Sequence, residues 1–468
     1  MNRLIISELQ LDQAKKHLLK EGEAFAFFLC GLAEFEDSTN FLVRHTILLL
    51  DTDFELVEGV GLQMKLESLL QVTNRARKEQ SALVEAHSHP WSKKDICFSQ
   101  TDLKGLKEFV PYILDDIPGM PYAATVWGTE SIDGIRWKSS PKQAANLAEM
   151  RIVGKNLARM ITTSSLKRIR NKCKITSDGK AARQILAIGQ QGQEQIRQTS
   201  VAIVGLGGLG SQVAQLLAYL GVENFVLIDF DKVETVNLNR LVSAGPRDLG
   251  RSKVKVAEKM IKRITHKDYG NVQKFECDMR EKRVLAALKG VDVIFGCVDR
   301  DGPRLILNEL ALAYMIPYID CAFGISVEKG AIKEAGGRVI LVEPDGPCLV
   351  CCKEIDIRAA SDDLASVEEL TVRKRQGYVS GADVPSPSVV SLDGTVASVA
   401  VTEFLALVTG FRPAQIYTFY DMIEQRMVPR IVKSDPKCVA CSVRGLGDKA
   451  NIERYANKES PKDIPVVK

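Results

Sequence analysis

The chain is 468 residues long, 45% hydrophobic and 26% charged, the length of two or three domains with an ordinary globular composition. Its 63 Lys and Arg against 59 Asp and Glu leave a formal charge of only +4, which argues against nucleic acid as a general partner. No apolar run approaches the roughly 20 residues of a membrane span, and Met1–Glu8 lacks the apolar core of a signal peptide, so the cytoplasm is the expected compartment.

From residue 1 to about 140, helix-like stretches (Asp12–Leu19, Gln63–Gln80) alternate with apolar strands (Phe25–Cys30, Arg44–Leu50, Ala82–His87, Ala123–Trp127). This mixture predicts a small α/β domain over 1–145. The strand at 82–87 runs into Glu85-Ala-His87-Ser-His89-Pro90, and Ser99-Gln-Thr-Asp102 follows. Two histidines at alternate positions of a strand end can face one metal. An aspartate beyond them completes three ligands and leaves a position open for water, as a catalytic zinc requires. The chain has only 5 histidines, and two of them stand here.

This pattern resembles the JAMM/MPN isopeptidases, whose motif is His-x-His-Pro, a short spacer, then Ser-x-x-Asp. The resemblance implies that His87, His89 and Asp102 hold zinc, that Ser99 steadies the oxyanion, and that a glutamate early in the domain acts as general base. Glu23 is the candidate base, one residue out of the usual register before Gly31, an offset that a bulge in its strand would absorb. Glu21 and Glu34 are poorer candidates. Between Pro90 and Ser99 stand eight residues, slightly more than the family spacer. The alternative is a metal-free relative that serves as a docking module. Glu85 reads as a strand residue without a role in the chemistry.

Residues Arg151 to Arg183 hold ten Lys and Arg and one acidic residue, Asp178. We read 146–182 as a solvated basic linker and helix, with a docking surface for an acidic partner as the alternative.

Beyond Arg183, strand and helix patterns alternate, which predicts an open, mostly parallel sheet with nucleotide at the strand C-termini. The strand Val201–Val204 enters Gly205-Leu206-Gly207-Gly208-Leu209-Gly210, a helix follows to about Leu220, and a second strand, Phe225–Ile228, ends at Asp229. Glycines so placed allow a tight turn and let phosphate approach the helix N-terminus, while an acidic residue after the next strand can accept ribose hydroxyls. Alone, Gly-x-Gly-x-x-Gly is weak, since many nucleotide-binding sheets share it. Here it continues into Asp229-Phe-Asp231 and Asn237-Leu-Asn239-Arg240, for which a dehydrogenase has no obvious need.

Two Cys-x-x-Cys pairs, Cys348/Cys351 and Cys438/Cys441, can complete a tetrahedral structural zinc site, with Cys352 as a substitute for Cys351. The 11 cysteines read as thiols and metal ligands rather than disulfides. A charged stretch from Glu354 to Pro387 lies between the pairs, then a helix over Thr395–Thr409, and a polar tail over 446–468.

From about Arg183 to Cys441 the ordered motifs closely resemble the MoeB/ThiF adenylating family, relatives of the ubiquitin-activating enzyme. Those enzymes use ATP and Mg2+ to adenylate the C-terminal glycine of a ubiquitin-like protein. The resemblance implies a Rossmann-like adenylation domain over 183–445, with 354–387 as its crossover loop and the four cysteines holding zinc. By the same resemblance Gly205, Gly207, Gly208 and Gly210 form the phosphate turn, Asp229 meets the ribose, and Asp231 and Asn237 join the nucleotide set. Arg240 and Lys253 would neutralise the polyphosphate, Asp299 would help hold magnesium, and Arg183 matches an arginine that family dimers supply to the partner's site.

The chemistry suits these residue types. A carboxylate attacks the α-phosphate and pyrophosphate leaves, so negative charge grows on phosphate oxygens and fixed cations stabilise it. Thioester-forming relatives carry a cysteine in or near the crossover loop, whereas this chain has none from Lys353 to Lys437. Cys321 is the leading thioester candidate, against the alternative of a small buried hydrophobe. The combined expectation is activation of a ubiquitin-like protein joined to an isopeptidase that trims or removes it. Three outcomes follow the adenylate: the chain stops there, passes it to a partner's thiol such as that of a conjugating enzyme, or uses another cysteine. The resemblance implies a homodimer, and the fusion resembles bacterial ubiquitin-like conjugation systems, some linked to phage defence. The rival readings are a sulfur-carrier adenylyltransferase, an NAD-dependent oxidoreductase, and a scaffold without activity.

Overall fold

The computed structural model describes residues 1–57, 61–169, 179–265, 270–365 and 387–457. The chain forms two compact units. The first comprises Met1–Thr176 with Ala313–Met315 and Val443–Ala450, and the second comprises Ser177–Leu312, Ile316–Ser442 and Asn451–Lys468.

The first unit opens with β1 (Arg3–Ser7) and α1 (Glu8–Leu18), whose start is fixed by the Ser7 hydroxyl accepting from the Gln10 amide. Next come β2 (Phe25–Phe35), β3 (Ser38–Leu48), β4 (Phe54–Val57), β5 (Gly61–Met64), α2 (Leu66–Glu79) and β6 (Ala82–Ser88). Then follow α3 (Gln100–Asp116), β7 (Tyr122–Trp127), β8 (Ile132–Trp137), β9 (Ala144–Asn146), β10 (Glu149–Val153), β11 (Leu157–Ile161) and α4 (Thr163–Ile169). All strands but β4 and β5 join one sheet, in the order β11-β10-β1-β3-β2-β6-β7-β8-β9.

Side chains alternate across a strand, and β2 shows the consequence. Ala26, Phe28 and Cys30 enter the core that α1 covers through Leu11, Ala14 and Leu18. Phe27 and Leu29 enter the opposite core, with Val72 and Ala76 of α2 and Leu106, Val110 and Ile113 of α3. The sheet is therefore covered on both faces, which is why β2 reads as a continuous apolar run.

Two expectations about boundaries need correction. Residues 149–161 are no linker: β10 pairs parallel with β1 (Arg3 opposite Glu149) and antiparallel with β11. Their basic residues belong to the sheet because Glu149 accepts from both Arg3 and Arg151, each at 2.9 Å. Residues 170–178 lie outside the described part of the basic tract. The stretch from 446 is no free tail either. Gly447 bridges to Leu32, Asp448 accepts from the Glu34 amide at 2.7 Å, and Ala450 and Ile452 are buried; only 458–468 lie outside the described residues.

The second unit holds α5 (Ala182–Gln198), β12 (Ser200–Val204), α6 (Gly208–Leu220), β13 (Asn224–Ile228), α7 (Lys253–Thr265), β14 (Val272–Phe275), α8 (Lys282–Leu288) and β15 (Val293–Gly296). It continues through α9 (Asp301–Tyr314), β16 (Tyr318–Glu328), β17 (Ala331–Val342), α10 (Ile357–Leu364), α11 (Val390–Thr409), β18 (Tyr417–Asp421) and β19 (Arg426–Pro429). The sheet order is β14-β13-β12-β15-β16-β17-β18-β19. The first five strands run parallel and the last three are antiparallel, so the sheet is mixed rather than mostly parallel. The long β16–β17 hairpin turns at Lys329 and Gly330, both at positive φ (50° and 78°), as a tight two-residue turn of that hand demands.

Helix α11 starts a turn earlier than the sequence predicts and packs against α5, α6, β16 and β17. By length and composition it could cross a membrane, contrary to the expectation that no segment qualifies. It carries a buried Asp393 and a buried Glu403, the latter paired with Arg412 at 2.6 Å, and lies in the core of the unit. Of the expected crossover loop, 366–386 lie outside the described residues.

Candidate active sites

In the first unit, β6 places Glu85 and His87 on one face by strand alternation, and His89 follows just past the strand end. Helix α3 brings Asp102 to them. Ser99 is its N-cap: the Ser99 hydroxyl accepts from the Asp102 amide (3.1 Å) while Asp102 Oδ2 accepts from the Ser99 amide (2.6 Å). This reciprocal cap fixes the carboxylate. Asp102 Oδ2 lies 3.5 Å from His87 Nε2 and 3.6 Å from His89 Nε2. Glu23 Oε1 is 3.7 Å from His89 Nε2.

One donor atom from each of His87, His89 and Asp102 lies within 4.8 Å of the others, and both ring nitrogens of the buried His87 have no hydrogen-bond partner among the described residues. Such an orphaned, convergent donor set fits a small divalent ion bound through nitrogen and carboxylate oxygen. Burial works against a charged His87, but Asp102 and then Glu85 hold its pKa up to about 9; Asp102, despite its own burial, is held well below the usual carboxylate range by His87 and the Ser99 amide. Phe25 and Phe98 flank the His87 ring at 5.7 Å each, and the exposed Trp91 stacks on His89 at 5.2 Å.

Two sequence readings of this site change. The bulge near Glu23 is on β3, where Arg44 is the extra residue between Leu29–His45 and Cys30–Val43, so it does not shift Glu23 along β2. Glu23 reaches His89 without it. Glu85, read only as a strand residue, borders the site: its Oε1 lies 3.5 Å from His87 Nδ1, and its Oε2 accepts a 2.6 Å hydrogen bond from the Tyr122 hydroxyl. The alternation Leu83, Glu85, His87 along a strand was the available signal.

In the second unit the glycine turn lies where β12 meets α6. Gly205 has φ +87°, and a Cβ on Gly210 would collide with the Gly205 carbonyl, so both positions require glycine. Gly207 is the N-cap of α6, and Gly208 is its first residue. Asp229, at the end of β13, accepts from the Leu206 amide (2.6 Å) and the Asp231 amide (2.7 Å), and so ties the turn to the neighbouring strand. Burial pushes its pKa up.

Lys253, first residue of α7, is nearly buried and donates to Asp231 at 2.7 Å. Pairing of Lys232 with Ser252 brings these two segments together. Asn237 caps its own turn by accepting from Glu234 N at 3.0 Å. Arg240 lays its stem against Gly208 and gives its guanidinium to the Val236 carbonyl (2.6 Å) and Asn239 (3.1 Å). Asp299 is exposed just after β15, whose following residue Cys297 touches Gly205. Arg183 stands apart from this set, exposed in the first turn of α5.

Asp393 was missed. It is fully buried on α11, one oxygen has no partner among the described residues, the other meets Ser388 at 3.4 Å, and a Cβ at Gly208 would strike it. Burial raises its pKa to about 6, against the pull of Ser388 and Arg240. The expected helix began at Thr395, so Asp393 fell before it and was not read as one of its positions.

The four cysteines converge. Cys348 Sγ lies 3.7 Å from Cys351 and 3.6 Å from Cys438, and Cys351 lies 3.6 Å from Cys441. Their sulfurs lie within 4.8 Å of one another, a set that can hold one metal ion. Hydrogen bonds from Cys441 and its neighbours lower the Cys348 thiol to about 5, whereas burial pushes Cys352, outside the quartet, up to about 12. Cys351 is thus the member and Cys352 is not. Cys321 is corrected too: it is 2% exposed within β16, and burial raises its thiol far above the usual range. It is the small buried hydrophobe rather than a nucleophile.

A glycine turn at the C-termini of parallel strands, with cations and carboxylates gathered around it and a cysteine quartet in the same unit, defines a nucleotide-binding domain of the doubly wound class. Residues 181–443, more than half of the chain, match the ThiF family, and the chain belongs to that family. Ubiquitin-like modifier-activating enzyme 5 of Gallus gallus is 28% identical over 302 residues, which cover 60% of this chain and 70% of that protein. The Xenopus laevis protein of the same name is 28% identical over 261 residues, 52% of this chain and 59% of its own length, so the chain spans about three-fifths of that relative. The SAMP-activating enzyme E1 of Haloferax volcanii is 27% identical over 270 residues, 57% of this chain and 88% of that protein.

Proposed function

We propose that the second unit activates the C-terminal glycine of a ubiquitin-like protein by adenylation. The observation that carries this reading is the family match together with the cation-lined glycine turn. The relatives' names, modifier-activating enzyme and SAMP-activating enzyme E1, support the substrate class. Amides from Gly207 to Gly210, at the start of α6, receive phosphate oxygens, while those of Gly205 and Leu206 hold the turn to β13. Lys253 leaves Asp231, and Arg240 leaves the Val236 carbonyl, to meet the charge that grows as pyrophosphate departs. Asp229 faces the ribose, with Asp231 and Asn237 beside it. Asp299 holds magnesium, which when bound neutralises phosphate charge.

With Cys321 buried and no cysteine between Lys353 and Lys437, the adenylate itself is handed to the next acceptor. The four-cysteine cluster holds a structural zinc. Arg183 and the 88%-exposed Leu186 lie on one exposed helix end, which a second copy of the chain covers. Light scattering on the purified chain should then return the mass of two chains, and a monomer would remove this part.

We further infer that the first unit is a JAMM/MPN-type zinc isopeptidase that trims the same modifier or removes it from targets. The convergence of His87, His89 and Asp102 beside Glu23 supports it. Zinc held there would polarise the scissile carbonyl. Glu23 Oε1 takes the proton of the attacking water and returns it to the departing amine as the C–N bond breaks, while the Ser99 hydroxyl donates toward the oxyanion. Incubation of a modifier precursor with native chain and with Asp102→Ala tests this. Cleavage by the native chain alone is the expected result, and equal cleavage by both would sink the reading.

A further inference from the structure

Glu85 lies outside every role assigned so far, yet its surroundings are those of a working carboxylate. Strand alternation puts it on the same face of β6 as His87, two residues along. Its two oxygens are divided between two neighbours. Oε2 accepts from the hydroxyl of Tyr122, a residue of β7 that is fully buried among Phe27, Leu83 and Trp137. Oε1 stands 3.5 Å from His87 Nδ1, on the side of the ring opposite the nitrogen that faces Asp102. The imidazole itself is held in place by Phe25 and Phe98, and neither of its nitrogens finds another partner among the described residues.

A histidine that ligates a metal through one nitrogen must carry its proton on the other, and a carboxylate there fixes the tautomer and raises the ligand's basicity. Glu85 is the only carboxylate near Nδ1 among the described residues. Tyr122 is anchored by the core and so fixes the carboxylate in turn. We propose that Glu85 is the positioning residue of the first unit's metal centre: through Tyr122–Glu85–His87 it holds His87 with Nε2 presented to a divalent ion. This deepens the isopeptidase reading and rests on it.

The test is zinc titration of the full-length, metal-stripped chain against a chromophoric chelator, for native, Asp102→Ala, Glu85→Gln and Glu85→Ala proteins. The native chain should take two equivalents, and Asp102→Ala should lose one while the four-cysteine equivalent stays. Glu85→Ala should bind the first-unit equivalent roughly 10- to 100-fold more weakly, the usual effect of deleting such a support. Glu85→Gln keeps an oxygen that can accept from Nδ1–H and should fall between the two. Zinc-loaded native chain should also show a slowly exchanging imidazole N–H proton resonance that Glu85→Ala lacks. Melting of the metal-free proteins serves as the folding control and should agree between native and Glu85→Gln.

Two equivalents with native affinity in both Glu85 variants would overturn the proposal and leave the metal centre standing. A single equivalent in the native chain, unchanged by Asp102→Ala, would instead remove the metal centre and this inference with it.

Discussion

Asp393 is a carboxylate that stability alone would not choose. It is fully buried, has one oxygen without a partner among the described residues, and presses on the first residue of α6. Burial raises its pKa to about 6. A carboxyl whose folded pKa exceeds its unfolded one contributes stability below the unfolded value of about 4, and that contribution is lost as pH rises through the folded value. Above pH 6 the chain therefore bears the cost of a buried charge. Asp393→Asn should stabilise the second unit at pH 7.5 by about 1–3 kcal/mol, from a shift of roughly two units, and should give no gain near pH 4. Thermal melts at the two pH values check this, and equal midpoints for native and variant at pH 7.5 would contradict it. At the same scale the convergence of the motif histidines, the glycine turn and the clustering of four cysteines were legible, because each residue type is tied to one geometry. Glu85, Asp393 and the burial of Cys321 were not, since each depends on what another strand or helix places opposite.

Among the elements, β10 and β11 show how charge can mislead. Arg151 and Arg159 made the segment read as solvated, yet Arg151 is only 4% exposed and Arg3 and Arg151 converge on Glu149. Despite its burial, Glu149 is held below the usual carboxylate range, by Arg151 first and Arg3 next. Removing one member of a buried charge network strands the others and costs about 3–5 kcal/mol. Glu149→Ala should lower the first unit's resistance to urea by an amount of that order and leave the second unit's adenylation unchanged. Denaturation followed by intrinsic fluorescence measures it, and a native-like midpoint would show these strands to be dispensable. Strand and helix positions in the second unit were easier to read, because apolar strands alternate with amphipathic helices there. The antiparallel half of its sheet was not, since strand direction leaves no mark on an apolar run.

For the whole molecule, the chain joins two units that each carry a site built from their own residues. The motif order led to the expectation of two chemistries on one modifier. Where each unit ends was harder to read: the first takes in residues 313–315 and 443–450, returns of the chain that no local pattern announces. If both readings hold, one protein prepares a terminal glycine, activates it, and can reverse the attachment. Its output then depends on the balance of the two activities rather than on either alone.

The central claim is carboxyl activation, and ATP–pyrophosphate exchange tests it most directly. The purified chain would be assayed with a ubiquitin-like protein ending in glycine from the same genome, beside Lys253→Ala and Asp299→Ala variants. Exchange that needs the modifier and falls by about 100-fold or more in each variant is the predicted result, the usual loss when a preorganised charge at such a transition state is deleted. Exchange that proceeds without the modifier, or at native rate in both variants, would contradict the account.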